Sequence, residues 1–308
     1  MKKQCPHFKS KKYRLNVIRD GFYVRSSDHQ KIRRFYCKIC CFHFSQATFR
    51  MSYRQKKRQI HSMIKKLLCS GVSQRRAAKI LQINRKTVVR KLHLLAQHAE
   101  KEHQTFLLKP AQHPLSSIQF DDLETSEHTK CKPVSVTLAV DPKTRKIMTF
   151  QVSRMPAKGH LAAIARNRYG YRKDERPEAW NLLMKSLTLV VKQNAVFTSD
   201  QNPHYPKPLR TFFPQAQHCA VLGRKACVVG QGELKRGGHD PLFALNHTCA
   251  MLRANMNRLF RRTWCTTKTL SGLISHLWLY LSYHNHVLTA SSTAMGTSYN
   301  FLNFTRCG

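Results

Sequence analysis

Ile118-Gln119-Phe120-Asp121-Asp122-Leu123-Glu124 is an apolar strand that runs straight into carboxylates, and the fold is best read outward from it. Downstream, residues 134–140 alternate apolar side chains at Val134, Val136 and Leu138. The turn signal Asp141-Pro142-Lys143 separates them from a second strand-like run at 147–152, so the two runs predict a hairpin. Residues 157–192 read as mostly helical around a basic loop at 166–176. Ala195-Val196-Phe197-Thr198 reads as a short buried strand ending at Asp200, and 218–222 as another. A Gly-rich loop at 230–238 leads into a helix over about 242–260, and an apolar helix covers about 270–283. A hairpin followed by alternating helices and strands predicts a mixed α/β core over 115–290, with a tail at 291–308.

Within that core the scarce carboxylates are informative. Asp121 and Asp200 each end an apolar strand, and carboxylates from two such strands can share a divalent metal ion that activates a water or a 3′-hydroxyl against a phosphodiester. Mg²⁺ suits oxygen ligands of this kind. Either aspartate alone would be an ordinary strand-end cap. A third ligand is expected on a later helix, yet after Asp200 the only acidic residues are Glu233 and Asp240, both in the Gly-rich loop. Inside the helix Asn246 and Arg253 stand seven apart and share one face, and an Asn side chain offers a neutral oxygen.

Upstream of the core, residues 1–50 carry Cys5-Pro6-His7 and Cys37-Lys38-Ile39-Cys40, separated by a hairpin-sized basic insert. Two close pairs of soft ligands are what a tetrahedral zinc ribbon needs. Phe8 stands where a second cysteine of the first pair belongs, so the ligand set reads Cys5, His7, Cys37 and Cys40, with Cys41 and His43 in reserve. The alternative is a buried or redox Cys-x-x-Cys, although a redox pair favours a βαβ context that is missing here. Residues 55–105 read as three helices. Ile60, Met63, Ile64, Leu67 and Leu68 make an apolar stripe, Gly71 ends the first helix, Ser73 caps the second and Asn84 the third. Val88, Leu92 and Leu95 face inward. Arg85, Lys86, Thr87, Arg90 and Lys91 are left outward near a helix start, where the recognition helix of a helix-turn-helix meets the major groove. A plain three-helix bundle with a solvated basic face would look similar.

Composition points the same way. The chain of 308 residues carries 54 Lys and Arg against 15 Asp and Glu, a formal charge of +39 spread along its length. Such self-repulsion costs stability and is tolerated when the partner is a polyanion. An anionic membrane surface is the rival, but no apolar stretch approaches the ~20 residues that span a bilayer. The start, Met1-Lys2-Lys3-Gln4-Cys5, lacks the apolar run of a signal peptide, and 11 cysteines without a regular framework suggest a reducing cytosol.

Phe120-Asp121-Asp122, then Phe197-Thr198-Ser199-Asp200, then Leu245-Asn246-His247 through Leu252-Arg253 and Asn257-Arg258-Leu259-Phe260-Arg261-Arg262-Thr263 to Lys268 together resemble a known family. They look like bacterial insertion-sequence transposases of the branches with an N-terminal zinc ribbon, a helix-turn-helix and a DDE-type core. The resemblance covers nearly the whole chain. Its most specific part is the last segment, where the family commonly has an acid seven residues before a Lys or Arg, and where some members have Asn. It implies an RNase H-like core with Asp121, Asp200 and Asn246 as ligands to Mg²⁺ or Mn²⁺. It further implies Arg253 on a DNA phosphate near the cut, with Arg258, Arg261, Arg262 and Lys268 on the element's end. The implied partners are double-stranded DNA, as element ends and target, and at least a second copy of the chain in a synaptic complex in the cytoplasm, at the nucleoid. A non-catalytic DNA-binding regulator derived from a transposase and an RNase H-like nuclease are the competing readings.

Overall fold

A computed structural model of the chain describes residues 5–7, 16–26, 28–108, 114–222, 234–235, 238–260 and 264–289. Glu233, Arg261, Arg262, the tail at 291–308 and most of the Gly-rich loop lie outside the described residues. The chain divides into two units, Met1–Ser62 and Met63–Gly308.

The first unit is a three-stranded antiparallel sheet of order β1-β2-β3, with β1 (Val17–Val24), β2 (Lys31–Cys37) and β3 (Phe42–Ser45). Its core is small: Cys5, Cys37 and Phe44, edged by Val17, Phe35, Cys40 and Phe42. A core of that size stabilises little by itself and calls for a staple. The turn joining β2 to β3 holds Cys41 at φ 51, a left-handed conformation that folds the two strands back tightly.

The second unit begins with helices. α1 (His61–Leu68), which straddles the division, is followed by α2 (Gln74–Ile80) and α3 (Arg85–Leu108). Ser73 Oγ accepts from the Arg76 amide and Asn84 Oδ1 from the Lys86 amide, so each helix start has one of its orphan donors met. Ala77 is fully buried. α3 runs on past Leu95, the last inward residue of the predicted stripe, because Ala96, Ala99, His103 and Leu107 continue the buried face. That stripe packs on α8 (Leu270–Tyr283), and His103 Nε2 lies 2.6 Å from the Met148 carbonyl oxygen. The inward set is Val88, Lys91, Leu92 and Leu95, so Lys91 is buried at 5% exposure and not on the outward face. The i, i+3, i+4, i+7 spacing dictates this, and a reading by charge overrode it.

The rest is a mixed α/β body around a five-stranded sheet of order β6-β5-β4-β7-β8. Its strands are β4 (Leu115–Ser126), β5 (Pro133–Val140), β6 (Ile147–Arg154), β7 (Val191–Asp200) and β8 (Gln217–Val221). The first three pair antiparallel, and β7 and β8 join β4 in parallel. α4 (Leu161–Tyr169) and α5 (Arg176–Leu187) cross from β6 to β7, and α6 (Pro206–Phe212) from β7 to β8. Ile118 and Phe120 of β4 share one core with Ala195 and Phe197 of β7, Trp180 and Leu183 of α5 and Leu209 of α6. Two-residue strands β9 (Leu234–Lys235) and β10 (Gly238–His239) pair ahead of α7 (Phe243–Asn255). α7 stops short of Phe260 because Met256 turns to φ −107, ψ 106, after which Asn257–Leu259 form one 3₁₀ turn.

A clasp caps the start of the far edge strand, β6. Asn285, in a π-helical turn over His284–Leu288, accepts from the Ile147 amide at 2.9 Å and donates to the Ile147 carbonyl at 2.8 Å. Among the described residues no helix is long and apolar enough to cross a membrane.

Candidate functional site

Two clusters carry chemistry, one in each unit. In the second unit the register sets the geometry. Ile118 pairs with Phe197 and Gln119 with Thr198, so two steps further along both strands Asp121 comes beside Asp200. Ile118 and Phe197 point into the α5–α6 core, and strand alternation sends Gln119, Asp121, Thr198 and Asp200 to the other face. That face is covered by α7. Gln119 fixes it with one amide, donating to the Pro241 carbonyl at 2.9 Å and accepting from the Leu245 amide at 3.0 Å. Asp200 is therefore the last residue of β7, while Asp121, expected at a strand end, lies midway along β4, which runs on to Ser126.

The electrostatics agree with this juxtaposition. Burial first, and the Asp200 carboxylate second, push the Asp121 carboxyl up to about 7. Burial also raises Asp200. Asp121 Oδ1 accepts from the Asp122 amide at 2.6 Å and from the Tyr205 hydroxyl at 3.1 Å, while Asp200 Oδ1 accepts from the Asn202 amide at 3.2 Å. Among the described residues neither Oδ2 receives a hydrogen bond, so each carboxylate keeps an oxygen for a cation. Oxygen donors with uncompensated negative charge fit a hard divalent ion.

Asn246 is placed differently from its two expected partners. Its Nδ2 donates to Asp240 Oδ2 at 2.8 Å, and Asp240, buried, also caps the start of α7 through the Leu242 amide. The α7 side chain that feels Asp121 is Cys249, one turn on, whose thiol is pushed to about 12 by burial first and by the Asp121 carboxylate second. With Nδ2 held, Oδ1 is the end of the Asn246 amide left without a partner among the described residues. Tyr205 escaped the sequence reading. It is fully buried and lies five positions after Asp200, and no sequence pattern marks it as the donor that orients Asp121. Asp122 points the opposite way, accepting from Thr137 Oγ1 at 2.5 Å and Trp180 Nε1 at 3.1 Å.

Basic residues flank this site. Arg253, Arg258 and Lys268 line a cleft beside the last residues of β4. Arg258 is turned partly inward: its Nε donates to His276 Nδ1 at 3.2 Å, and its terminal nitrogens lie against Gly272, where a Cβ would come within 3.0 Å. On the helices, Arg85, Lys86 and Arg90 are exposed and Thr87 is half-buried.

In the first unit Cys5, Cys37 and Cys40 bring their sulfurs within 4.8 Å of one another, with Cys5 and Cys40 at 3.6 Å. Thiolates on one tetrahedral ion at about 2.3 Å stand roughly this far apart. Burial raises the Cys37 thiol, but the amides of Cys40 and Ile39 aim at it and hold it below the usual thiol range. Burial pushes Cys40 up to about 11. Backbone amides aimed at Cys37 favour its ionised form, whereas burial disfavours that of Cys40. His7, expected as the fourth ligand, is not part of the group. It is exposed and its ring packs on Phe42, centroids 4.1 Å apart. Neither reserve joins: Cys41 is exposed and His43 Nδ1 lies 2.9 Å from Asp20 Oδ2. Among the described residues this is the one group of three or more His, Cys, Asp or Glu side chains that converges closely enough for a metal.

Compared with protein families and with curated proteins, the sequence matches none.

Proposed function

We propose that the protein is a transposase that binds the ends of an insertion sequence and cuts and joins DNA at a divalent-metal site on an RNase H-like core. The observation that carries this reading is the pairing of Asp121 with Asp200 on the α7 face of the sheet, partly buried and uncompensated, in a chain of charge +39. A strand order of β6-β5-β4-β7-β8, with the hairpin antiparallel and the outer pair parallel, supports it. Asp121 and Asp200 hold Mg²⁺ or Mn²⁺, and Asn246 offers its Oδ1 as a third, neutral donor. The ion, when bound, supplies Lewis-acid chemistry to the scissile phosphodiester and its attacking oxygen. Tyr205 keeps Asp121 in place through its hydroxyl, and Gln119 fixes α7 against the strand that bears it. Arg85, Lys86 and Arg90 at the start of α3 read the element's end in the manner of a recognition helix, with α2 as its support. The three-cysteine group holds a structural zinc ion in a ribbon-like unit.

The test is a nicking and strand-transfer assay on oligonucleotides that carry the element's terminal repeats, with Mg²⁺ or Mn²⁺. Asp121→Asn and Asp200→Asn abolish cleavage while end binding survives, and Asn246→Ala reduces cleavage severely. Undiminished cleavage by either aspartate variant refutes the assignment. A second reading, a non-catalytic DNA-binding protein, draws on one feature: no third acidic side chain joins the aspartates among the described residues. End binding without metal-dependent cleavage in the wild-type chain would select it.

A further inference from the structure

Trp264 is 98% exposed. The other two tryptophans are packed: Trp180 is 3% exposed in the core, and the Trp278 ring lies 4.6 Å from that of Phe150. Nor does Trp264 hang on a loose arm. Three residues on, Thr267 is fully buried and bridges to Glu127 beyond the end of β4, and its carbonyl accepts from the His128 amide at 2.8 Å. An indole held out to water from an anchored segment forgoes the gain of burying its apolar surface, and its surroundings say what would cover it. It lines a cleft of about 830 Å³ together with Lys130, Arg253, Arg258 and Lys268. Among the described residues the one carboxylate in that lining, Glu124, is already paired with Lys158 at 2.6 Å. The cleft is thus cationic with a flat aromatic face in it. Arg253 stands on α7, the helix that Gln119 holds against the strand bearing Asp121.

A partner that matches both features carries negative charge and a π face. Duplex DNA offers phosphates but keeps its base faces stacked inside, whereas an unpaired nucleotide offers both. We propose that this cleft binds an unpaired stretch of DNA strand, one base stacked on Trp264 and its flanking phosphates on Lys268 and Lys130. The cleft would then hold the frayed strand whose phosphodiester is presented to Asp121 and Asp200. The proposal rests on the transposase reading for that last role, but its binding chemistry stands without it.

Tryptophan emission tests it in the full chain, because Trp264 is the indole open to solvent. Single-stranded oligothymidylate quenches the emission, and a blunt duplex of equal length quenches it much less. Trp264→Ala lowers affinity for the single strand about tenfold and removes the quench, while Trp264→Phe retains most of the affinity. An oligonucleotide with abasic sites binds about as weakly to the wild type as the normal strand does to Trp264→Ala. Equal binding of abasic and normal strands, unchanged affinity in Trp264→Ala, or shielding of Trp264 from iodide in the free protein would each overturn the proposal. A chain that quenches but never cleaves loses the transposase reading and keeps this one; cleavage without any quench does the reverse.

Discussion

Asp121 and Asp122 are neighbours with opposite tasks, and the alternation of a strand is what separates them. Asp122 receives the Trp180 indole N–H and the Thr137 hydroxyl, both on buried residues. Asp122→Ala therefore strands two donors and lowers stability by about 1–3 kcal/mol for each, read as a lower urea midpoint. Asp121→Asn does the opposite in metal-free buffer. The Asp121 carboxyl ionises near 7 in the fold, above its unfolded value, so its ionised form is a penalty that grows as pH rises from about 4 to 7. At pH 8 the Asn variant melts higher than wild type, and at pH 4 the two coincide. Asp121 was read as the end of a strand, but the strand runs on to Ser126, and two-residue alternation is what turns Asp121 and Asp122 to opposite faces. Helical periodicity, ignored at Lys91, would have made its burial legible. The hold of Asp240 on Asn246 was not legible, because a hydrogen bond across a helix start leaves no repeat to read.

At the scale of elements, one buried ring ties three of them together. His276 of α8 donates from Nε2 to the Leu68 carbonyl at the end of α1 and accepts at Nδ1 from Arg258, in the 3₁₀ turn that follows α7. Burial, and then the Arg258 charge, hold its pKa down to about 4. Its neutral form is favoured by the fold, so the stability it lends is complete above about 6.5 and drains away as pH falls toward 4. His276→Gln is destabilised at pH 7, and its deficit narrows at pH 4.5; an unchanged deficit in urea titrations at both values would contradict this tautomer. Helices and strands themselves were readable because their buried stripes repeat: β5, β6, β7 and α8 fall within a few residues of their predicted bounds. Where a 3₁₀ turn replaces the end of α7, the periodic reading overran, since nothing in Asn257-Arg258-Leu259 breaks helical spacing.

The whole molecule combines a unit with little core and a unit with ample core. The three-stranded unit closes around Cys5, Cys37 and Phe44, so its fold depends on whatever cross-links its thiols. Treating the full chain with a strong chelator collapses the amide resonances of β1–β3 while those of the five-stranded sheet persist, and Cys37→Ser reproduces the effect without chelator. Resonances of the first unit that survive both treatments would show that the thiols need no ion. The pairing of Cys37 with Cys40 was plain in the sequence. The failure of His7 to join was not, because a histidine two residues from a cysteine can turn toward the metal or toward an aromatic neighbour, and here Phe42 takes it. The Asn285 clasp, finally, bears on the outer rim of the sheet. β6 is an outer strand of the sheet, and a bare outer strand is a template for adding another. By occupying the Ile147 amide and carbonyl, one side-chain amide impersonates the missing neighbour at the first residue of that rim.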